Sequence, residues 1–361
     1  MMGEVKLMKG NEALAEAMIR AGADGYFGYP ITPQSEVLEY LAKESDKCII
    51  KRTGMVVLQA ESEVSAINMI YGGAAAGKRV MTTSSSPGMS LMQEGISYIA
   101  GAELPCLLAN VSRGGPGLGT IQPSQSDYFQ SCKGGGHGDY HMIVLAPSSV
   151  QEMVDFVKLG FELAEKYRTP AMILADGAIG QMMEKVELFD QMPRRTEFPE
   201  WAANGKPKDG PSRFVTSLNI KPELMEIINE RLQAKYKEIA KNETLFETQN
   251  LDDAEYIFTG FGMGARICNK AMELARAKGY KVGTIRPKTI WPFPYDIYAN
   301  VAKKVKGILD VEFNAGQMVE DVRLAVNGTC PVEFYGRMGG MIPSPEEIIE
   351  KFEEYFINGG K

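Results

Sequence analysis

The stretch LQAESEVSAINMIYGGAAAG, from Leu58 to Gly77, decides how the rest of the sequence can be interpreted. Its apolar residues recur at three- and four-residue spacing, which predicts a helix with one buried face. Glu61 and Glu63 stand at the start of that helix, where the helix dipole favours a carboxylate. Glu63 is therefore either an ordinary helix-start residue or a partly buried carboxylate with a chemical role. The stretch alone leaves both interpretations open.

Predicted strands and helices alternate on both sides of this stretch. A strand, a turn and a helix follow one another over residues 26–43, 79–100 and 142–166. Such alternation is typical of an α/β fold with a parallel sheet and helices on both of its faces. We therefore expect residues 1–190 to form one α/β domain.

The second half of the chain changes composition before the same alternation returns. Pro, Arg, Gly and polar residues dominate from Gln191 to Ser217, and a helical pattern follows from Glu223 to Lys241. Residues 191–250 are therefore predicted to be a connector that carries one helix. Strands and helices alternate again from Tyr256 onward, so residues 251–361 are predicted to form a second, smaller α/β domain.

Length and charge exclude several classes of partner. A chain of 361 residues is long enough for two domains that each bury a core. Thirty-nine basic and 46 acidic residues give a net charge of −7 without any run rich in Lys or Arg, which argues against nucleic acid. The chain contains no apolar signal core near Met1 and no apolar run near the roughly 20 residues of a membrane span. We therefore expect a cytoplasmic protein that binds neither nucleic acid nor a membrane.

The cysteines and histidines do not follow a metal-binding pattern. The five cysteines lie far apart in sequence without a C-x-x-C pair, and the two histidines, His137 and His141, share one loop. This spacing fits neither an iron–sulfur cluster nor a structural zinc site, so we expect reduced cysteines that mostly pack in the core. Asp176-Gly177 and Asn204 resemble part of a Gly-Asp-Gly … Asn magnesium signature. Ala175 replaces its first glycine, and we predict no metal site in this chain.

Three turns that follow predicted strands carry polar or charged side chains. Residues 29–33 hold a threonine between two prolines, residues 82–88 are rich in hydroxyl groups, and residues 112–120 combine four glycines with Arg113. Ligand sites in parallel α/β sheets collect at the carboxyl ends of strands, and an arginine can bind a carboxylate through two hydrogen bonds. A proline-initiated helix and a flexible loop with an exposed arginine explain the first and third turns equally well from the residues alone.

A different motif in the second half suggests a nucleotide site. Gly260-x-Gly262-x-x-Ala265 follows a predicted strand and opens a helix, as in the dinucleotide-binding fingerprint. That fingerprint calls for an acidic residue about 20 positions later, whereas this chain has Arg286 near that place. Because an arginine suits a 2′-phosphate, an NADP-dependent dehydrogenase stays open as a distant alternative.

Taken in order, the motifs resemble the α subunit of 2-oxoacid:ferredoxin oxidoreductases over nearly the whole chain. Within that family the chain is most similar to subunits that act on 3-methyl-2-oxobutanoate, through Leu7–Glu12 and the run Gly134–Tyr140. Subunits that act on 2-oxoglutarate or pyruvate are the alternatives. The segments that carry the family resemblance are Gly28–Pro33, Ser62-Glu63 with its helix, Thr83–Gly88, Leu91–Gly95, Arg113–Pro116 and Trp291–Pro294.

The resemblance implies a subunit that is active only with partners. Its enzyme would decarboxylate a 2-oxoacid oxidatively with thiamine diphosphate, transfer the acyl group to coenzyme A and pass electrons to ferredoxin. Residues 1–190 would be a pyrimidine-binding thiamine-diphosphate domain, and residues 251–361 a transketolase-C-terminal-like domain. The β and γ subunits, with a ferredoxin-like δ subunit as a further candidate, would hold the diphosphate with its Mg²⁺ and the [4Fe-4S] clusters.

The resemblance also assigns roles to individual residues. Glu63 would place its carboxylate against the pyrimidine ring of the cofactor, and Glu61 is the competing candidate two residues upstream. Arg113 would bind the substrate carboxylate, which suits its planar guanidinium, and Thr32 would hydrogen-bond the substrate or its adduct. The loop Gly117-Leu118-Gly119 departs from the Pro-Ser-Thr-Gly-type run of relatives that act on other acids. The remaining residues expected to border the cofactor are Tyr29, Pro30, Ile31, Ser86 and Pro87.

Overall fold

Fourteen stretches of β-strand occur in the computed structural model, which describes residues 4–46, 53–206 and 210–359. The strands are β1 (Glu4–Lys9), β2 (Gly25–Gly28), β3 (Val56–Gln59), β4 (Val80–Ser84), β5 (Cys106–Ser112), β6 (Ile143–Leu145), β7 (Pro170–Asp176), β8 (Met183–Leu188), β9 (Phe246–Gln249), β10 (Tyr256–Thr259), β11 (Val282–Pro287), β12 (Thr289–Trp291), β13 (Gly307–Glu312) and β14 (Val332–Gly336).

Helices connect most of these strands, as the alternation in the sequence predicts. Ser62 and Ser149 each cap a helix by accepting a hydrogen bond from the main-chain N–H three residues later. The helices are α1 (Gly10–Arg20), α2 (Ser35–Asp46), α3 (Glu63–Ala75), α4 (Ser86–Gly101), α5 (Tyr128–Cys132), α6 (Val150–Tyr167), α7 (Gly177–Gln181), α8 (Pro222–Asn242), α9 (Gly262–Ala277), α10 (Tyr295–Ala302), α11 (Met318–Val326) and α12 (Pro345–Phe352).

The largest sheet has seven strands in the order β12-β6-β7-β5-β4-β2-β3, and all of its pairs are parallel except β12–β6. Both β5 and β7 are buried along their full length, because helices cover both faces of a parallel sheet. One apolar cluster includes Leu14 of α1 and Phe161 of α6, and a second includes Ile67 of α3 and Ile96 of α4. The predicted α/β fold class is confirmed.

The second sheet has five strands in the order β14-β13-β10-β11-β9. Strand β9 lies within the predicted connector and pairs with β11, while β12 crosses to the first sheet and pairs with β6. Trp291 at the end of β12 stacks on His141, with ring centroids 4.6 Å apart. Strand β12 therefore connects the two parts of the chain through the first sheet, which the sequence pattern does not indicate. The boundaries at residues 190 and 250 stay a prediction.

Four of the five cysteines lie in the described residues. Cys106, Cys132, Cys268 and Cys330 are buried free thiols, as expected, and burial raises the pKa of the Cys106 thiol to about 12. Cys48 lies outside the described residues. Across residues 4–46, 53–206 and 210–359, no helix is both long and apolar enough to cross a membrane.

Candidate functional site

Four neighbouring parallel strands deliver the predicted site residues to one edge of the large sheet. In the order β5-β4-β2-β3, these strands end just before Arg113, Ser86, Tyr29 and the Glu61–Glu63 turn, respectively. The chain runs from β2 to β3 on one side and then returns to β4 on the other. Such a reversal opens a crevice at the carboxyl ends of the strands, which is where α/β sheets bind ligands.

The Glu63 carboxylate is buried at the start of α3, with only 6% of the residue exposed. Within the described part of the chain it accepts no hydrogen bond and joins no ion pair. It packs against Gly88, where an added methyl carbon would lie 2.6 Å from Glu63 Oε1 and 2.1 Å from Ser84 Oγ. Glu61 is exposed instead. The two acidic residues that competed as candidates in the sequence thus differ in burial.

Two buried hydroxyl groups in the turn before α4 lack partners among the described residues. They are Ser84 Oγ, which packs against Gly88 as Glu63 does, and Ser85 Oγ, of the next residue. Buried polar groups in proteins are almost always hydrogen-bonded, so two such hydroxyls in this turn indicate a site that a ligand completes. A planar ring with both donors and acceptors fits this arrangement.

Arg113 connects three of the predicted site segments through its side chain and main chain, and it is only 8% exposed. Its Nη1 donates to the Thr32 carbonyl at 2.9 Å, its Nη2 donates to the Leu118 carbonyl at 3.0 Å, and its main-chain N–H donates to Ser86 Oγ at 3.0 Å. Its Nε has no partner among the described residues. The guanidinium is therefore held in place and keeps donors for a carboxylate.

A pocket of about 400 Å³ opens beside Arg113, between the edge of the large sheet and the loop after β13. Ser86, Pro87 and Arg113 line one side, and Asn314 and Gln317 line the other. The structure thus brings Arg113, Thr32, Ser86 and Pro87 together. Their roles stay predictions.

The other predicted residues lie outside this pocket. Tyr29 and Ile31 are partly buried and Pro30 is exposed, all beside Thr32. Glu63 does not line the pocket; it packs instead against Gly88, which follows the lining residues Ser86 and Pro87 in the chain. One turn therefore contacts Glu63 and also contributes to the pocket beside Arg113.

Sequence reasoning missed several polar side chains that line the pocket: the hydroxyls of Ser90, Ser124 and Ser126, and the side chains of Asp127, Asn314 and Gln317. Asn314 and Gln317 directly follow the carboxyl end of β13, a position that could have marked them as candidates. Asp127 follows the run Ser124-Gln125-Ser126, which has no periodicity or motif, so its place could not have been found from sequence.

The alternative of a nucleotide site is wrong. Helix α9 starts at Gly262, but its second main-chain N–H, of Met263, donates to the Asp176 carboxylate at 3.2 Å, where a pyrophosphate would have to bind. Burial raises the pKa of Asp176 to about 6. Arg286 is also occupied, because it makes two hydrogen bonds to Glu152, at 2.6 and 2.7 Å, and one to Glu247 at 2.7 Å.

Two protein-family models match the chain. The model for pyruvate flavodoxin/ferredoxin oxidoreductase, thiamine diphosphate-binding, matches residues 16–245. The model for pyruvate:ferredoxin oxidoreductase core domain II matches residues 254–348.

Curated relatives match the chain over nearly its full length. Ketoisovalerate oxidoreductase subunit VorB of Methanothermobacter thermautotrophicus is 45% identical, and the match covers 97% of both chains. 2-Oxoglutarate synthase subunit KorA of Methanocaldococcus jannaschii is 35% identical, over 96% of this chain and 98% of the relative.

Two solved structures have the same fold. The 2-oxoglutarate:ferredoxin oxidoreductase from Magnetococcus marinus, with 2-oxoglutarate, coenzyme A and succinyl-CoA bound, has a TM-score of 0.83 and 28% identity. The match covers 98% of this chain, which spans 65% of that longer chain. A split-gene transketolase in an inactive β4 tetramer has a TM-score of 0.58 with 12% identity, over 96% of this chain and 97% of its own, and shows likeness of fold alone.

Proposed function

Because this chain belongs to the pyruvate flavodoxin/ferredoxin oxidoreductase family, whose members are 2-oxoacid:ferredoxin oxidoreductases, we propose that it is a subunit of the 3-methyl-2-oxobutanoate enzyme. That enzyme would oxidatively decarboxylate the branched 2-oxoacid, form the acyl-coenzyme A and pass electrons to ferredoxin. The choice of substrate rests on one observation: the chain is 45% identical to a ketoisovalerate subunit over 97% of its length, but only 35% identical to a 2-oxoglutarate subunit.

The residues around Glu63 fit the aminopyrimidine ring of thiamine diphosphate. The buried carboxylate can hold a proton at a ring nitrogen, and the unpartnered hydroxyls of Ser84 and Ser85 can bond the ring's other polar groups. Gly88 lets Glu63 and Ser84 pack directly against its main chain, because an added methyl carbon there would lie 2.6 Å from Glu63 Oε1 and 2.1 Å from Ser84 Oγ. When bound, the cofactor supplies the carbanion that attacks the keto carbon of the substrate. Glu63, Ser84 and Ser85 would orient it.

The outer face of α3 supports a partner subunit at this point. The chain has no charged residue from Val64 to Gly77, yet Val64 is 44% exposed and Met69 36% exposed. Gly72 faces open space, with no atom of the described residues within 4 Å of an added methyl carbon. Ser65 and Asn68 are the polar residues between Val64 and Gly77, and the exposed remainder of the helix is apolar or glycine. An apolar helix surface is normally buried, so we infer that the β subunit covers α3 and brings the diphosphate and its Mg²⁺ to the cofactor site.

The pocket beside Arg113 supports a substrate with one carboxylate. Among the described residues that line it, Arg113 is the only cation, and it suits the carboxylate next to the keto group. The nearby loop exposes the apolar side chains of Leu118 and Ile121, by 83% and 56%. A second carboxylate, as in 2-oxoglutarate, would lack a cationic partner here, whereas a branched aliphatic chain would contact apolar surface.

The remaining components of the enzyme would lie on further subunits. The cysteine spacing of this chain offers no C-x-x-C pair, so the [4Fe-4S] clusters would be carried by the β and γ subunits, with a ferredoxin-like δ subunit as a further candidate.

The proposal is tested on the complex assembled by co-expression with its partner subunits. Viologen reduction that depends on coenzyme A should be fastest with 3-methyl-2-oxobutanoate and slower with 2-oxoglutarate or pyruvate. Glu63→Gln should lower turnover by about 100-fold or more, whereas Glu61→Gln, which changes an exposed acid two residues away, should stay near the unmodified rate. Full activity of Glu63→Gln, or a complex inactive with every 2-oxoacid, would contradict the proposal.

A further inference from the structure

The Asp127 carboxylate reaches the pocket from a segment of the chain that has no assigned role. It is 9% exposed, and its Oδ2 accepts hydrogen bonds from Ser86 Oγ at 2.6 Å and Asn110 Nδ2 at 2.8 Å. Asn110 lies on β5, three residues before Arg113, and is fully buried. Asp127 is the only anion among the described pocket-lining residues.

Ser86 transmits the position of Asp127 to Arg113. The Ser86 hydroxyl has one proton, which the short contact assigns to Asp127, and its oxygen accepts the main-chain N–H of Arg113 at 3.0 Å. A hydroxyl that donates to a carboxylate becomes a stronger acceptor, so the two bonds reinforce each other. Asp127 therefore holds both the first residue of α4 and the residue after β5 in one arrangement.

The second half of the chain fixes Asp127 on both sides. The Gln317 side chain donates to the Ser126 carbonyl at 2.9 Å and accepts the Phe129 N–H at 2.8 Å, so it brackets Asp127. Gln125 is 2% exposed and makes bonds to Phe261 and Phe313 at 2.7 and 3.1 Å. These hydrogen bonds fix the position of the segment around Asp127, which has no regular secondary structure.

We propose that Asp127 is a positioning residue for the substrate carboxylate: through Ser86 it fixes the main chain of Arg113, and Gln317 fixes Asp127 in turn. This inference rests on the proposed function, because it takes Arg113 as the residue that meets the carboxylate. It gives the loop after β13 a role in the site, which is to hold the segment opposite the sheet edge.

The test uses the assembled complex and measures KM and kcat for 3-methyl-2-oxobutanoate and for coenzyme A. Asp127→Asn keeps the shape and an acceptor oxygen but removes the charge. Gln317→Ala removes the two side-chain hydrogen bonds, to Ser126 and Phe129, on either side of Asp127. Both should raise KM for the 2-oxoacid by about tenfold, with kcat changed less and KM for coenzyme A unchanged. Asp253→Asn and Gln233→Ala, on exposed surface, are the matched controls and should leave all constants unchanged.

A double-variant cycle separates positioning from a general loss of structure. Arg113→Lys combined with Asp127→Asn should have about the KM of Arg113→Lys alone, because Asp127 acts through Arg113. Additive effects, a change in KM for coenzyme A instead, or unchanged constants in an active Asp127→Asn complex would each overturn the inference. An unmodified complex that is inactive with every 2-oxoacid would instead defeat the proposed function, and the inference with it.

Discussion

The missing side chain at Gly88 lets two polar side chains pack directly against the first turn of α4. Gly88 lies two residues after Ser86, and an added methyl carbon would collide with Glu63 and Ser84. The same turn carries Ser86 and Pro87, which line the pocket beside Arg113. A side chain at this position would therefore displace Glu63 and Ser84 from the turn.

Gly88→Ala should weaken thiamine diphosphate binding without preventing folding. The added methyl group would lie 2.6 Å from Glu63 Oε1, so the carboxylate must move away from its place beside Ser84. Overpacking of this kind costs about 1–3 kcal/mol, which corresponds to a roughly tenfold to hundredfold higher cofactor concentration for half-maximal activity. Titration of the cofactor into the assembled complex measures it. Gly134→Ala, whose added methyl would meet no atom closer than 3.9 Å, is the control, and equal cofactor dependence of the two variants would refute the argument.

A single residue of the site can be predicted from sequence only when the residues next to it in the chain mark its position. Glu63, Thr32 and Arg113 each follow a strand within a few residues, so their neighbours identify them. Asp127, in contrast, is placed in the site by its hydrogen bonds to Asn110, which lies 17 residues away in sequence, and to Ser86, which lies 41 residues away. No local pattern encodes such contacts, and only the folded chain shows them.

Helix α3 has an apolar inner face in the core and an uncharged outer face that the described residues leave exposed. Its inner face packs Ile67 and Ile70 into the core, while its outer face is uncharged and includes Gly72 in the helix interior. A glycine there costs roughly 0.5–1 kcal/mol relative to alanine, and no contact with the described residues offsets that cost. The absence of a side chain is best explained by the close approach of another subunit.

Gly72→Leu should therefore preserve the chain but prevent assembly. Leucine favours the helix more than glycine does, and its first side-chain carbon would have no atom of residues 4–46, 53–206 or 210–359 within 4 Å. The thermal midpoint of the purified chain should therefore not fall. The same side chain should block the β subunit, which co-purification with a tagged partner and size-exclusion chromatography would show. Glu273→Leu, at a position 61% exposed on α9, is the matched control and should assemble normally. A Gly72→Leu complex of normal size and yield would show that α3 faces solvent.

Elements that the sequence did not predict are short or polar. Strands β1 and β8 pair with each other and mix charged with apolar residues, so neither has an apolar run or an alternation along its full length that marks a strand. Strand β12 has three residues, and its partner Leu145 lies 144 positions before Thr289. The long buried strands β5 and β7, in contrast, were evident as apolar segments.

On the scale of the whole molecule, a charged cluster joins the two large sheets. Arg286 on β11 is 4% exposed and binds Glu152 on α6 through both terminal nitrogens, with Glu247 of β9 as a third member. Lys288 adds a contact to Glu152 at 3.1 Å. Burial alone would raise the pKa of Glu152, but the hydrogen bonds and charge of Arg286 outweigh it and lower that pKa to about 2.

This lowered pKa predicts how the stability of the chain depends on pH. A carboxyl group whose pKa falls on folding adds stability above its unfolded pKa of about 4.5, and that stability is lost as pH falls toward 2. The shift corresponds to about 3 kcal/mol at neutral pH, of which roughly 2 kcal/mol should disappear between pH 6 and pH 3. Glu152→Gln should therefore unfold at lower urea concentration than the unmodified chain at pH 7, and the gap should narrow steadily toward pH 3. Glu273→Gln, which changes an exposed pair, should show a difference below about 1 kcal/mol at every pH. A gap for Glu152→Gln that stays constant with pH would mean that packing around residue 152, and not its charge, holds the two sheets together.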